Sequence, residues 1–105
     1  MKIKVLGSEA ACGVSSTNGS NFSLSTAVRL VNSGTTDRLV SVETSAASLI
    51  GTFTIKSGGV EVVQKDPTDE IFAAHAEVLG VGVAITSYEK EIYYAVSSDY
   101  GQSSK

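Results

Sequence analysis

Cysteine, proline, histidine and methionine each occur once in these 105 residues, and tryptophan does not occur at all. The single cysteine, Cys12, excludes an internal disulfide framework. It lies in a Ser/Gly-rich stretch with no histidine nearby, which reads as a buried or incidental thiol rather than a nucleophile. His75 would need a nucleophile and an orienting group beside it to act as a general base. Its neighbours Ala73, Ala74 and Ala76 supply neither, so it reads as a surface or half-buried side chain. No apolar run approaches the roughly 18 residues of a membrane span. The start, Met1-Lys2-Ile3-Lys4-Val5-Leu6, lacks the apolar stretch of about 7–15 residues that a signal peptide requires, and is expected to belong to the mature protein.

Charge is also sparse. The net charge is −3, and the eight cations, Lys2, Lys4, Arg29, Arg38, Lys56, Lys65, Lys90 and Lys105, are scattered. Binding to nucleic acid needs clustered cations, so no nucleic-acid partner is expected. With 42% hydrophobic residues the chain is not a disordered one. At this length a single domain is the default, burying roughly 65% of its unfolded surface.

The carboxylates Asp66, Asp69 and Glu70 are closely spaced but lack the Asp-x-Asp-x-Asp-Gly pattern and final Glu of a calcium loop. Asp66 instead reads as the cap of a short helix beginning at Pro67, with Asp69 and Glu70 at its positive end. Glu77 adds no second pair of ligand spacing, and no Gly-Lys-Ser/Thr follows Gly51, Gly58, Gly59, Gly80 or Gly82. The residues therefore imply no catalytic, cofactor or metal site, and a non-enzymatic protein.

Extended backbone is what the chain has in plenty. Ser and Thr make up about a quarter of it, and Thr and Val favour strands while Ser and Gly populate turns. Alternation of polar and apolar residues marks strands at Lys2–Leu6, Thr26–Asn32, Arg38–Thr44, Thr52–Lys56, Val60–Lys65, Ala76–Thr86 and Glu89–Val96. The Asn32–Asp37 turn predicts a hairpin between the second and third of these, and Ser57-Gly58-Gly59 predicts another between the fourth and fifth. Ser45–Ile50 reads as a small-residue connector. About seven strands and at most one short helix near 67–75 predict an all-β fold, a small antiparallel sandwich or barrel. Within one domain, 1–105, the pattern separates a core at 26–87, a flexible Ser/Gly loop at 7–25 anchored by Phe22 and Leu24, and a Tyr-rich extension at 88–105. Tyr88, Tyr93, Tyr94 and Tyr100 have apolar faces and polar tips that suit contact with a partner, and Phe22 joins them as a candidate. Adjacent residues on a strand face opposite ways, so Tyr93 and Tyr94 cannot share one core.

The runs Val28-Arg29-Leu30-Val31-Asn32, Gly51-Thr-Phe-Thr-Ile55, Val60-Glu-Val-Val-Gln-Lys-Asp-Pro-Thr-Asp-Glu-Ile71 and Val78-Leu-Gly-Val-Gly-Val-Ala-Ile-Thr86 resemble small proteins of tailed bacteriophages, especially phages of cyanobacteria and other marine bacteria. Lys65-Asp66-Pro67-Thr68-Asp69 is the most recognisable part. The resemblance spans roughly 26–87 and implies a β-rich structural protein of the virion, made in the host bacterial cytoplasm. It implies the major capsid protein or other virion proteins as partners, in a symmetric or homo-oligomeric assembly, with no cofactor and no membrane. Capsid decoration is the leading expectation; a neck or tail connector and a carbohydrate- or host-surface-binding module are the alternatives.

Overall fold

The computed structural model describes residues 2–86. The strand expected over 89–96 and the candidates Tyr88, Tyr93, Tyr94 and Tyr100 lie outside the described residues. The fold is all-β, as the alternation predicted. Among the described residues eight strands form: β1 (Lys2–Val5), β2 (Ala10–Ala11), β3 (Ala27–Asn32), β4 (Arg38–Glu43), β5 (Leu49–Ile55), β6 (Val60–Gln64), β7 (Glu70–Ala73) and β8 (Val78–Thr86). One sheet has the order β1-β8-β3-β6, with β2 also on β8, and the other has the order β5-β4-β7. Every strand pairing is antiparallel.

Two isolated bridges, a parallel one from Gly13 to Phe72 and an antiparallel one from Ser20 to Ile71, add a rudimentary edge beside β7. With that edge included, β1 pairs with β8, the Gly13–Ser20 segment with β7, β3 with β6 and β4 with β5. This nesting is the winding of a jelly roll whose second strand is reduced to two bridges. The core lies between the sheets: Val28, Leu30 and Val78 from the first meet Val40, Ile55, Ile71 and Ala73 from the second, and Cys12 joins them.

Neither expected hairpin forms, although both turns stand where the residues placed them. Asn32 is fully buried; its Nδ2 donates to the carbonyls of Thr36 (2.8 Å) and Ile55 (3.1 Å), and its Oδ1 accepts from Gly34 N (3.0 Å). That network carries the chain from β3 into the opposite sheet instead of folding it back on the same one. Gly58, at φ +73°, likewise turns β5 of one sheet into β6 of the other. The true hairpin is β4–β5, through the stretch read as a connector: Thr44 N donates to Ser48 O at 2.8 Å.

The short helix expected at 67–75 is replaced by a turn and β7. Asp69 N donates to Asp66 O (3.0 Å) and Asp66 N to Asp69 Oδ2 (3.2 Å), closing a four-residue turn with Pro67 at its second position. One turn satisfies the Asp and Pro preferences, and Ile71 and Ala73 then alternate into the core as a strand. The only described helical element is a 3-10 turn at Ser16–Asn18.

The Ser/Gly run at 7–25 is bonded into the sandwich. Cys12 N donates to Val78 O (3.1 Å), Ala73 N to Gly13 O (2.9 Å) and Ile71 N to Ser20 O (2.8 Å). Phe22, Ser23 and Leu24 follow in left-handed conformation at φ 52°, 58° and 63°. Asn21 Oδ1 accepts from Leu24 N and Ser25 Oγ donates to Phe22 O, which hold this unusual turn.

Candidate contact surfaces

Pairing register decides what each face of β8 carries. Gly80 and Gly82 stand opposite Leu30 and Val28, so they face the interior. A Cβ on Gly80 would lie 2.7 Å from the Phe22 ring, and one on Gly82 2.0 Å from Ser25 Oγ. The glycines make room for the Phe22–Ser25 turn beneath the sheet. Val81, Val83 and Ile85 consequently point away from the second sheet.

On that outer face Val5 pairs with Val83 and Ile3 with Ile85, while Arg29 stands opposite both Val81 and Val62. Ala27, Val81 and Val83 form a second apolar cluster, flanked by Val62 and Ile85. Its centre is buried, but its rim is open: Val5 is 56% exposed, Val60 45% and Ile3 37%. Arg29 crosses the face and pairs with Glu9 at 3.3 Å.

A second surface opens between β5 and β6, which end their respective sheets. Val42, Phe53 and Val63 pack on the core from this side and, with Ile50 and Val62, line a groove of about 370 Å³. The groove continues into a cleft of about 900 Å³ bounded by Thr26, Ile50, Lys65, Asp66, Asp69 and Ile85. Ile50, which lines both, is 56% exposed, and its neighbour Leu49 is 62% exposed. A register shift between Val42 and Glu43 leaves Ile50 without a partner in the ladder, a bulge that turns its side chain out. Isolated proteins commonly protect an edge strand with charge or proline. β5, Leu-Ile-Gly-Thr-Phe-Thr-Ile, has neither.

At the polar end, Lys65 Nζ donates to the carbonyls of Asp66 and Pro67, each at 3.2 Å. Burial lowers the Lys65 pKa from its ordinary value, against the opposing pull of Asp69 and Asp66. These carboxylates thus shape a turn beside the cleft.

The other candidates are dispersed. Phe22 is half-buried and packs on the core, its ring beneath Gly80. Cys12 is 3% exposed, and burial raises its thiol pKa to about 11, so it stays protonated and unreactive. His75 is exposed, with Nδ1 accepting from Glu77 N at 3.1 Å. Glu77 forms an ion pair with Arg38. Among the described residues no three His, Cys, Asp or Glu side chains gather as a metal cluster. Sequence reasoning passed over Ile3 and Val5, read as the apolar side of a strand with one wet face, and Leu49 and Ile50, read as the apolar end of a connector. Pairing turns Ile3 and Val5 to the outer face, and the bulge turns out Ile50.

Compared with known proteins, the chain matches no family model, no curated protein and no solved structure.

Proposed function

We propose that this chain is a non-enzymatic structural protein of a tailed-phage particle, a decoration protein that binds the assembled capsid shell. The observation that supports a contact role is the pair of apolar surfaces, the rim of Ile3, Val5 and Val60 and the uncharged β5 edge with Leu49 and Ile50. Exposed apolar patches and unprotected edges mark places where another chain sits. The choice of a phage particle rests on the resemblance of residues 26–87; a jelly-roll winding by itself assigns no function. On a shell, many equal copies let modest contacts add through multivalency.

Quantitative mass spectrometry of purified particles tests this reading. Decoration requires the chain at a copy number comparable to the major capsid protein. Six or twelve copies per particle would move it to the neck or tail, and its absence from particles would end the proposal. Ile50→Glu, on the groove lip, is expected to abolish binding to purified shells while leaving the isolated domain folded.

A further inference from the structure

We propose that Glu43 and Glu70, enclosed by the Ser16–Gly19 turn, bind one calcium ion that fastens this turn to the second sheet. The two residues are a register pair between β4 and β7, so two carboxylates stand side by side on the outer face of that sheet. Like charges directly opposite each other destabilise a strand pair. An outer-face carboxylate would ordinarily reach water, yet Glu43 is 1% exposed. The chain between the Gly13 and Ser20 bridges arches over it, and Ser16 Oγ donates to Glu43 Oε1 at 2.7 Å. The other oxygen, Oε2, is buried with no hydrogen-bond partner. A buried charged oxygen left in that state is strongly unfavourable unless a counter-charge accompanies it. The ion pairs of Arg29, Arg38 and Lys56 lie elsewhere, with Glu9, Glu77 and Asp37.

Gly19 shows where the counter-charge fits. Its backbone, φ −64° and ψ 156°, is open to any residue, so conformational freedom is not what glycine supplies here. A Cβ on it would stand 3.3 Å from Glu43 Oε2, 3.3 Å from Glu70 Oε1 and 3.0 Å from Glu70 Cβ. The missing side chain leaves a small space touched by one oxygen of each carboxylate.

Two carboxylates and a nearby hydroxyl are hard oxygen donors, and no nitrogen or sulfur ligand belongs to this group. That chemistry selects calcium over zinc or copper. Calcium accepts six to eight oxygens in flexible geometry, so hydroxyl, carbonyl and water oxygens can complete its shell, whereas magnesium demands a near-ideal octahedron. Two charged ligands place the affinity in the weak range, a Kd of roughly 10⁻⁴–10⁻³ M.

The test is thermal unfolding of the full chain in EDTA, in 10 mM CaCl₂ and in MgCl₂ or NaCl of matched ionic strength, with isothermal titration of CaCl₂ alongside. Calcium is expected to raise Tm by roughly 5–10 °C over the matched salts. Glu70→Gln and Gly19→Ala are expected to lose that increment while remaining folded, and Glu43→Gln to lose it as well. A wild-type Tm indifferent to calcium, with no heat on titration, overturns the site. So does an increment that survives in both Glu70→Gln and Gly19→Ala. A Tm that ignores calcium but rises as pH falls from 7 to 5 would also overturn it, assigning the pair a shared proton instead. If Glu43→Gln does not fold, the wild-type titration and the other two variants still decide the question.

Discussion

Along the β7 side of the sandwich, the segment from Gly13 to Ser25 closes the second sheet and sends Phe22 beneath β8, whereas along the β5–β6 side two strand edges stand open over Val42, Phe53 and Val63. The closed flank is built under constraint. Three consecutive non-glycine residues adopt left-handed backbone, each at a cost of roughly 1–2 kcal/mol, and a Cβ on Gly13 would fall 1.6 Å from Asn18 O. Phe22 burial and the Cys12, Gly13 and Ser20 backbone bonds offset that strain. The open flank contains no positive-φ residue along β5 or β6, yet leaves large apolar side chains in water. One flank is closed by the chain's own segment, whereas on the other, among the described residues, the edges of β5 and β6 stay uncovered.

Removing the anchor of the closed flank breaks the contrast most severely. Phe22→Ala should lower unfolding stability by about 3 kcal/mol in urea denaturation, since the ring leaves a cavity beneath Gly80 and the left-handed turn loses its support. Cys12 sharpens the contrast through pH. Its folded pKa, raised by burial to about 11 from 9.0, means the unfolded thiol ionises first as pH rises. The contribution is therefore fully present below pH 9 and is lost between about 9 and 11. Cys12→Ala should flatten the stability profile across that window relative to the native chain, and equal slopes would show that the thiol is not held neutral. The smallest effect belongs to the open flank. Ile50→Ser should change stability by less than about 0.5 kcal/mol, because the side chain is 56% exposed. A loss near that of Phe22→Ala would mean that Ile50 serves the domain's own core and that the groove is no contact surface.

Much of the strand pattern was legible. β3, β4 and β6 fall within a residue or two of where alternation placed them, and β5 begins three residues early because Leu49 and Gly51 also pair. Turn residues were legible too, at Asn32–Asp37 and Ser57–Gly59. Their consequence was not, because a turn signal says where the chain bends and leaves open which sheet receives the next strand. Asn32 illustrates this: as a polar residue ending a strand it reads as a turn former, and only its bonds to Thr36 and Ile55 make it the crossing point between sheets. The candidate calcium ligands were hidden for a similar reason. Glu70 stood in a local acidic group with Asp66 and Asp69, but its partner is Glu43, 27 positions away and adjacent only through β4–β7 pairing.

From the sequence alone follow the all-β class, the positions of most strands and the division of each strand into two faces, because alternation and turn chemistry act over a few neighbouring residues. Only the tertiary structure decided which face is the inside. In β8 the valines invite burial and the glycines look like gaps, yet Gly80 and Gly82 face the space between the sheets, and Val81 and Val83 are buried on the other face in a cluster of their own. The physical reason is space: the Phe22–Ser25 turn occupies the interior beneath β8, and only glycine leaves room for it.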